Sequence, residues 1–360
     1  MPGRYFITRS PSVNERSTHR GWIPSSIRRV TMVENKAAAP IPSPREITTE
    51  PRFSDKLFRG VVTAGGLSSL IILGLIAIFL SYQGFEILIK EGFSFITSSK
   101  WAVEVDSVGE ITNTSFGLAA MLVGTILCAL IAVVIALPIS VAAAIFLSFY
   151  APESVKRVLV SIIDLMAAFP SILFGFWGLF VLMPSAEYWA KLINKFLGFI
   201  PIFEVEPRIF TRSPFIAGVV LAIMIIPIVT SISREVFSQT PLDRIQAAYA
   251  LGATRWNVIR TVAIPYSRGG IVGGSMLGLG RAMGETVAVY TVLNIVYQIN
   301  WQVLFGAGGN VASLILLKFG EAQPYEVKAL MAAGLILFLL TLLVNFIADQ
   351  IVARTGSKGR

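Results

Sequence analysis

Two charged residues stand inside an apolar, glycine-rich segment, GGIVGGSMLGLGRAMGETVAVY (269–290), and their side chains could handle an anion. Arg281 follows Arg268 by 13 residues, which is about 20 Å along a helix axis and therefore deep in a bilayer. A charge at that depth costs about 2.5–3.5 kcal/mol and so faces a cavity or a partner. Glu285 is one helical turn away and could pair with Arg281, although Arg before Glu is the less favourable order. We expect both residues on a substrate route; a buried structural ion pair is the alternative.

Glycines in the same segment recur at intervals that leave a helix face smooth. Gly270, Gly274 and Gly278 are spaced by four residues, as are Gly280 and Gly284. This spacing lets a second helix approach closely inside a membrane. We expect these glycines to form a helix-packing surface.

The elements that position these residues must be membrane-spanning helices. The chain has 360 residues, of which 54% are hydrophobic and 14% charged, with a mean hydropathy of +0.72; soluble domains carry about 25% charged residues. Averaging the hydropathy over a window of about 19 residues detects apolar segments long enough to cross a bilayer. There are six such segments, at 60–82, 118–149, 158–183, 215–233, 269–296 and 327–351. The sequence therefore predicts an all-α integral membrane protein with about six transmembrane helices.

The positive charges predict the orientation of these helices. With the N-terminus inside, 21 of the 30 Lys and Arg residues fall on inner segments and 8 on outer segments, so both termini are expected in the cytoplasm. Residues 1–56 are basic and lack apolar periodicity, which indicates a disordered cytoplasmic tail that contacts anionic lipid. Residues 57–352 form the predicted transmembrane domain and 353–360 a cytoplasmic C-terminal tail. Translation from Met32 is an alternative start.

The inner loop at 238–265 carries the signals of two short helices. Thr240 is expected to cap the first helix, with Asp243 in its first turn. Gly252 allows a sharp turn, and Pro265 is expected to end the second helix before the next span. A compact elbow of this kind between two spans could receive force from a partner protein.

The stretch QAAYALGATRWNVIRTVAIP (246–265) resembles the EAA loop of ABC importer permeases, whose short coupling helix docks on the ATPase subunit. The family pattern begins with Glu, where this chain has Gln, so a charged contact from that position is not expected. An ordinary amphipathic helix at the membrane surface is the alternative. The resemblance assigns ATPase coupling to Gln246, Ala247, Ala248, Gly252, Ala253 and Pro265.

A second resemblance concerns the charged segment, because LGLGRAMGETVAV is similar to the signature of the phosphate-specific (Pst) permeases, in particular their C-type (PstC) subunits. The stretch FPSILFGFWGLFVLMP (169–184) agrees, and the similarity covers about residues 60–352. It implies a type I ABC importer permease fold, with Arg281 and Glu285 taking part in phosphate translocation. It also implies a heterodimer with an A-type (PstA) permease, two ATPase (PstB-type) subunits that bind ATP and Mg²⁺, and an extracytoplasmic phosphate-binding (PstS-type) protein.

The chemistry of the two charged side chains is compatible with phosphate. A guanidinium group presents a fork that matches two phosphate oxygens. Monohydrogen phosphate, unlike sulfate, carries an O–H that a carboxylate can accept. We therefore expect Arg281 to attract the anion and Glu285 to accept its hydrogen bond or to hold Arg281 in place.

Several function classes are excluded by what the chain lacks. A single cysteine (Cys128) and a single histidine (His19) cannot form a disulfide or a Cys/His metal cluster. No G-x-x-x-x-G-K-[ST] loop occurs, so the chain is not expected to hydrolyse ATP or to be an enzyme. The basic residues concentrate before the first span, which favours membrane lipid over nucleic acid as the partner.

Some alternatives stay open. An ABC permease for sulfate or molybdate would share most of these patterns, and an ion-gradient transporter is a more distant possibility, for which internal repeats are expected. Asp164 stands in an apolar neighbourhood, SIIDLMAAFP. It either lines the substrate path or reaches the inner interface, and we favour the interface.

Overall fold

The computed structural model of the protein describes residues 53–105, 111–206 and 208–356. Most of the predicted N-terminal tail, 1–52, and the end of the predicted C-terminal tail, 357–360, lie outside the described residues. The chain divides into two units, 1–62 and 63–360. Of the first unit, only the beginning of a helix, 53–62, is described, and everything below concerns the second.

Thirteen α-helices and one β-hairpin make up the described part of the chain. The helices that precede the elbow are α1 (Phe53–Glu91), α2 (Ser94–Thr97), α3 (Ala119–Ile145), α4 (Glu153–Ala167), α5 (Ser171–Trp177), α6 (Met183–Leu197) and α7 (Pro214–Ser238). The elbow and the remainder contain α8 (Leu242–Ala250), α9 (Arg255–Val258), α10 (Ile264–Gly284), α11 (Val287–Val292), α12 (Val311–Phe319) and α13 (Pro324–Gly356). The last helix therefore continues into the segment predicted as a C-terminal tail.

Three π-helical turns lengthen or join the α-helices. Phe146–Tyr150 extends α3, Gly178–Leu182 joins α5 to α6, and Ile259–Ala263 joins α9 to α10. A π turn inserts one extra residue into a helix without ending it, so side chains after it are rotated relative to those before it. Each of these joined runs is consequently one long helix.

Five helices are long and apolar enough to cross a membrane: Phe53–Glu91, Ala119–Tyr150, Ser171–Leu197, Pro214–Ser238 and Pro324–Gln350. Four of them contain predicted spans. The predicted third span, 158–183, is wrong as a single helix, because the chain breaks at 168–170 between α4 and α5. Pro170 has no N–H to donate and disfavours a helical residue before it, which accounts for the break.

The predicted span at 269–296 is likewise not one helix. Helix α10 ends at Gly284, α11 covers only Val287–Val292, and the chain then leaves helical conformation. Because of its glycines and its arginine, α10 is not among the five apolar helices. The sequence therefore gives the position of this element but not its interruption.

A two-stranded antiparallel sheet lies between α2 and α3, where the sequence predicts no strand. Strand β1 (Trp101–Val105) pairs with β2 (Ile111–Phe116), with Trp101 opposite Phe116. The rings of these two residues meet edge to face, with centroids 4.9 Å apart. Trp101 Nε1 donates a hydrogen bond to Glu326 Oε1 at the start of α13, with 2.7 Å between the atoms. The hairpin is thereby attached to the last helix.

Helix α7 occupies the centre of the core, between α3 and α10. Small buried residues of α3 face it at intervals of four positions: Cys128, Ala132, Ala136, Ser140 and Ala144. Ser140 Oγ donates to the Ile226 carbonyl of α7 over 3.2 Å. Close approach of this kind supplies the van der Waals packing that holds helices together in a membrane. Helix α7 thus forms the fixed support on which the site helix α10 packs.

Candidate functional site

The elbow passes into α10 without an end at Pro265. From Arg255 to Gly284 the chain is one helical run, with Pro265 in the first turn of α10 directly after the π turn. The prediction that Pro265 ends a helix is therefore wrong. A proline is tolerated where its missing N–H has no obligatory partner, and the wider π turn provides such a place. The elbow and the site helix are consequently joined by a continuous rod.

One face of α10 packs on α7 through three of the predicted glycines. A Cβ added at Gly270 would lie 2.3 Å from Val236 Cγ2. At Gly274 and Gly278 the corresponding distances to Ile232 Cγ2 and Val229 Cγ2 are 3.0 Å. A methyl group at Gly270 would therefore clash with Val236, and one at Gly274 or Gly278 would require the facing side chain to shift slightly.

A second face of α10, adjoining the first, is open. A Cβ added at Gly269, Gly273, Gly280 or Gly284 would meet nothing within 4 Å. Gly280 and Gly284, which the sequence places in the packing surface, therefore lie on a different face from the other three glycines. Leu277 and Arg281 are exposed at the edge of this face, because each follows a packing glycine by seven residues, or about two helical turns. Such a surface exposes backbone and one cation, and it is poorly suited to lipid.

Glu285 sits at the interruption itself. It is the first residue after α10, with an extended conformation (φ −70°, ψ 125°), and it is only 8% exposed. Its Oε1 accepts a hydrogen bond from the Ala288 N–H over 3.2 Å. A carboxylate in this position satisfies an N–H in the first turn of α11 and complements the positive end of that helix.

Asn310 and Ser313 complete the interruption, and the sequence analysis missed both. Asn310 Nδ2 donates to the Glu285 carbonyl over 2.8 Å, while its Oδ1 accepts from the Ser313 N–H and caps α12. Ser313 Oγ donates to the Thr286 carbonyl over 3.0 Å. These bonds pair the backbone groups that the broken helix leaves free. The signal was an Asn directly before the apolar run VASLILL, a typical helix start.

Arg281 and Glu285 do not pair with one another. Within the described chain, Arg281 forms no hydrogen bond or ion pair. The reason is geometric. Two residues four positions apart share a face only within a helix, and Glu285 lies beyond the end of α10. Arg281 occupies the last turn of α10, where a cation complements the negative helix end.

A second interruption lies beside the first. A Cβ at Gly175 in α5 would be 2.9 Å from Ala288 Cα, and one at Gly178 would be 3.1 Å from Val292 Cγ1. Helices α5 and α11 therefore run side by side in the same direction. Each begins directly after a break, at 168–170 and at 285–286. Two adjacent broken helices are the arrangement in which transporters place binding sites.

The elbow presents its predicted coupling residues at the surface. Helix α8 has no buried residue; Gln246, Ala247 and Gly252 are exposed, and Ala248 and Ala253 partly so. Gly252 has φ +79°, the left-handed conformation that only glycine adopts freely. Leu251, at 89% exposure, and Trp256 add apolar area beside it.

Local capping at the elbow differs in part from the prediction. Asp243 lies in the first turn of α8 as expected, but Thr240 does not cap that helix. The Thr240 hydroxyl is buried and has no hydrogen-bond partner in the described chain. Thr254 caps α9 instead, accepting from the Asn257 N–H.

Two arginine–tyrosine contacts tie the elbow to its neighbours. The Arg244 guanidinium lies 5.6 Å from the ring centre of Tyr266 in α10. The Arg255 guanidinium lies 5.5 Å from that of Tyr150, the last residue of the run that begins with α3. Displacement of the elbow would therefore reach both helices that flank α7.

Comparison with known proteins shows the family of the chain. Residues 136–357 match the family of the "Binding-protein-dependent transport system inner membrane component". The chain is 42% identical over 303 residues to "Phosphate transport system permease protein PstC 2" of Mycobacterium tuberculosis, covering 83% of this chain and 92% of that protein. It is 37% identical over 336 residues to the PstC protein of Mesorhizobium japonicum, covering 89% and 98%.

Among solved structures, a chain from a bacterial ABC transporter involved in the import of alginate is similar at a TM-score of 0.49. It is 13% identical and covers 83% of this chain and 99% of its own length. The sequence matches are far stronger than this structural likeness, and they extend over nearly the whole length of the relatives. The chain therefore belongs to the binding-protein-dependent transport system inner membrane components, among the PstC-type permease proteins, and is a multi-pass membrane permease with the type I ABC importer fold.

Proposed function

We propose that the protein is the permease subunit of an ATP-driven importer of inorganic phosphate. The observation that carries this proposal is the position of Arg281. It is an exposed cation without a partner among the described residues, at the edge of the open face of α10, beside the interruption and on the same helical run as the elbow. A guanidinium in that position can attract an oxyanion and bind two of its oxygens. The names of the relatives support phosphate as that anion.

Glu285 and Arg281 take different parts in this proposal. Arg281 contacts the anion. Glu285 holds the interruption in place, because its carboxylate oxygen accepts the Ala288 N–H and its carbonyl accepts from Asn310. These bonds fix the position of the end of α10 relative to the beginning of α11. Arg281, in the last turn of α10, is thereby held at the wall of the substrate route.

The elbow is the proposed contact with the ATPase. The elbow offers a patch for docking. Exposed Leu251 and Trp256 form its apolar part, and the surface of α8 adds polar side chains. Movement imposed there passes along the run from Arg255 to Gly284 to the residue beside the anion. Gln246, Ala247, Ala248, Gly252, Ala253 and Pro265 lie in or next to this patch.

The protein would work as part of a complex. A PstA-type permease would cover the open face of α10 as the second half of a heterodimer. Two PstB-type ATPase subunits would bind ATP and Mg²⁺, since this chain carries no phosphate-binding loop of its own. A PstS-type phosphate-binding protein would deliver the substrate from outside. No nucleic-acid partner is proposed.

The proposed location is the bacterial plasma (inner) membrane, with both termini and the elbow on the cytoplasmic side. The distribution of positive charge supports this orientation. Residues 57–352 would form the permease domain, and the basic residues ahead of α1 would contact anionic lipid.

Transport by the reconstituted complex tests the proposal. The chain, its PstA-type and PstB-type partners and the binding protein are placed in vesicles, and uptake of labelled phosphate is measured with and without ATP. We expect uptake that depends on ATP and exceeds that of sulfate and molybdate. Faster uptake of sulfate or molybdate would establish the alternative, an ABC permease for that anion.

The roles of the two charged residues are tested in the same vesicles at matched protein abundance. Arg281→Lys keeps the charge but loses the two-pronged fork, and Glu285→Gln removes the charge at the beginning of α11. We expect each to lower phosphate uptake about tenfold or more, which corresponds to about 1.4 kcal/mol. Unimpaired uptake in both variants would refute the assignment.

A further inference from the structure

Arg212 has a backbone conformation that arginine rarely adopts. Its φ is +52°, and among the described residues it is the one non-glycine residue with a positive φ. A side chain in this left-handed region is strained, and the strain persists only where the surroundings hold the backbone in place. Arg212 also directly precedes Ser213, the N-cap of α7, where the helix dipole opposes a positive charge. Glycine or asparagine would suit this turn better, so local structure does not explain the arginine.

A neighbouring loop holds the strained turn on both sides. Before the turn, the Gly306 N–H donates a hydrogen bond to the Ile209 carbonyl over 2.7 Å. After the turn, the Phe215 N–H donates to the Val303 carbonyl over 2.9 Å. Because the segments before and after Arg212 are both tied to the same loop, its side chain leaves the turn in a set direction.

The Arg212 side chain ends at the far end of α11. Its Nη1 donates to Asn294 Oδ1 over 3.3 Å, and Asn294 follows the last residue of α11 by two positions. The Asn294 carbonyl in turn accepts the Gly308 N–H over 3.2 Å. Arg212 is partly exposed, and within the described chain its guanidinium forms no ion pair. An amide does not neutralise the cation, and the other N–H donors of the guanidinium stay available for an anion.

Helix α7 gives the separation of Arg212 and Arg281 along the helix axis. The glycine contacts show that α7 and α10 run antiparallel, and a Cβ at Gly278 would lie against Val229 and Ile225. Arg281 follows Gly278 by less than one turn of α10, so it is level with about Ile225. Ile225 follows Arg212 by 13 positions, which is about 20 Å along α7. Arg212 therefore lies about 20 Å beyond Arg281, at the end of α7 opposite the elbow.

We propose that Arg212 is an outer contact for the oxyanion, which it binds before the anion reaches Arg281. This inference rests on the proposed function and adds a second cation to the same route. The fixed turn presents the guanidinium at the outer end of α11, where it can bind two oxygens of phosphate. Its partial exposure to water keeps that contact weak enough for the anion to move on.

The side of the membrane that position 212 faces is tested without transport. The single cysteine, Cys128, is 2% exposed, so the unsubstituted chain sets a low background for thiol reagents. Arg212→Cys is compared with Glu153→Cys, an exposed position just after Tyr150, which contacts Arg255 of the elbow. A charged reagent that does not cross the bilayer is added outside right-side-out vesicles that contain the assembled complex. We expect the thiol at 212 to react at least about tenfold faster. Equal rates, or a faster reaction at 153, would overturn the inference.

Transport supplies the second test, with Arg208→Asn as the matched control. Arg208 is exposed on the same loop, so Arg212→Asn and Arg208→Asn remove the same charge, and asparagine tolerates the φ of the turn. Uptake of phosphate by the assembled complex is measured over a range of concentrations of phosphate-loaded binding protein. We expect Arg212→Asn to lower the maximal rate about tenfold. The half-saturating concentration of binding protein and the thermal midpoint of the chain should not worsen, and Arg208→Asn should resemble the unsubstituted chain.

Three results of this experiment would overturn the inference. Equal maximal rates in Arg212→Asn and Arg208→Asn would show that the anion does not depend on Arg212. A higher half-saturating concentration in Arg212→Asn, at an unchanged maximal rate, would mean that Arg212 contacts the binding protein instead of the anion. A lower thermal midpoint in Arg212→Asn would make the arginine a structural residue. Failure of phosphate uptake by the unsubstituted complex would instead refute the proposed function.

Discussion

The helical run Arg255–Gly284, which contains α10, is bounded by two interruptions that are built in different ways. The one after Gly284 is buried and tied by side chains of the same protein, through Glu285, Asn310 and Ser313. The one before Thr254 is an exposed glycine turn, with apolar side chains left at the surface. The first fixes a geometry within the chain, and the second keeps a surface free for a partner. Changes at the first should therefore lower stability, whereas changes at the second should alter binding.

The largest expected effect comes from Asn310→Ala. This change leaves the Ser313 N–H and the Glu285 carbonyl without partners in a buried place. Each unpaired group costs about 1–3 kcal/mol, so the loss from the two groups should be about 2–6 kcal/mol. The measurement is the thermal midpoint of the purified chain in mild detergent. Asn257→Ala, at an exposed position near the elbow, is the control and should change the free energy of unfolding by less than about 0.5 kcal/mol.

Equal losses in these two variants would remove the distinction between the interruptions. It would mean that the polar bonds around Glu285 contribute no more than an exposed side chain. A loss in Asn310→Ala alone would show that the interruption after Gly284 contributes more to stability than the exposed turn does.

The second prediction concerns the two faces of the helix between the interruptions. In Gly270→Ala the new methyl group would lie 2.3 Å from Val236 Cγ2, and relieving that clash should cost about 1–3 kcal/mol. In Gly273→Ala it would meet nothing within 4 Å. Alanine favours helix by up to about 1 kcal/mol over glycine, so this control should be neutral or stabilising. If the thermal midpoints of Gly270→Ala and Gly273→Ala shifted by the same amount, that result would contradict the packing of α10 on α7.

Much of this arrangement follows from local sequence, and the remainder depends on distant residues. The spacing of Gly270, Gly274 and Gly278 is sufficient to predict a packing face, and Gly252 is sufficient to predict a sharp turn. Gly280 and Gly284 repeat the same spacing yet lie on the open face. Periodicity alone does not show which face another helix covers, because that depends on where α7 lies in the folded chain.

The interruption at Glu285 could not be predicted from its own segment. An arginine and a glutamate four residues apart read as one helix face, and no proline or cap marks an end between them. The break is stabilised by Asn310, which is 25 residues further along the chain. A sequence reading limited to local patterns places both side chains on one helix face, where an ion pair is an alternative, whereas the described chain has a helix cap at Glu285 and no partner for Arg281.

The third prediction addresses the elbow. Gly252→Ala places a side chain at φ +79°, which costs about 1 kcal/mol and should lower the ratio of native to non-native turn about fivefold. Co-purification of the ATPase subunit should fall accordingly, with the thermal midpoint of the chain nearly unchanged. Gly252→Asn is the control, because asparagine tolerates this conformation better than alanine. Identical ATPase recovery in the two variants would show that the turn does not govern docking.

The smallest effect is expected at Pro265, where the sequence predicts a helix end and the structure has none. The helical run passes through this residue from the π turn Ile259–Ala263 into α10. Pro265→Ala adds an N–H near carbonyls at an exposed position and lengthens no helix. The free energy of unfolding should therefore change by less than about 0.5 kcal/mol, and the helical content seen by circular dichroism should stay the same. A gain of a helical turn in the variant would mean that the proline does separate the elbow from α10, and that the two are not joined as one rod.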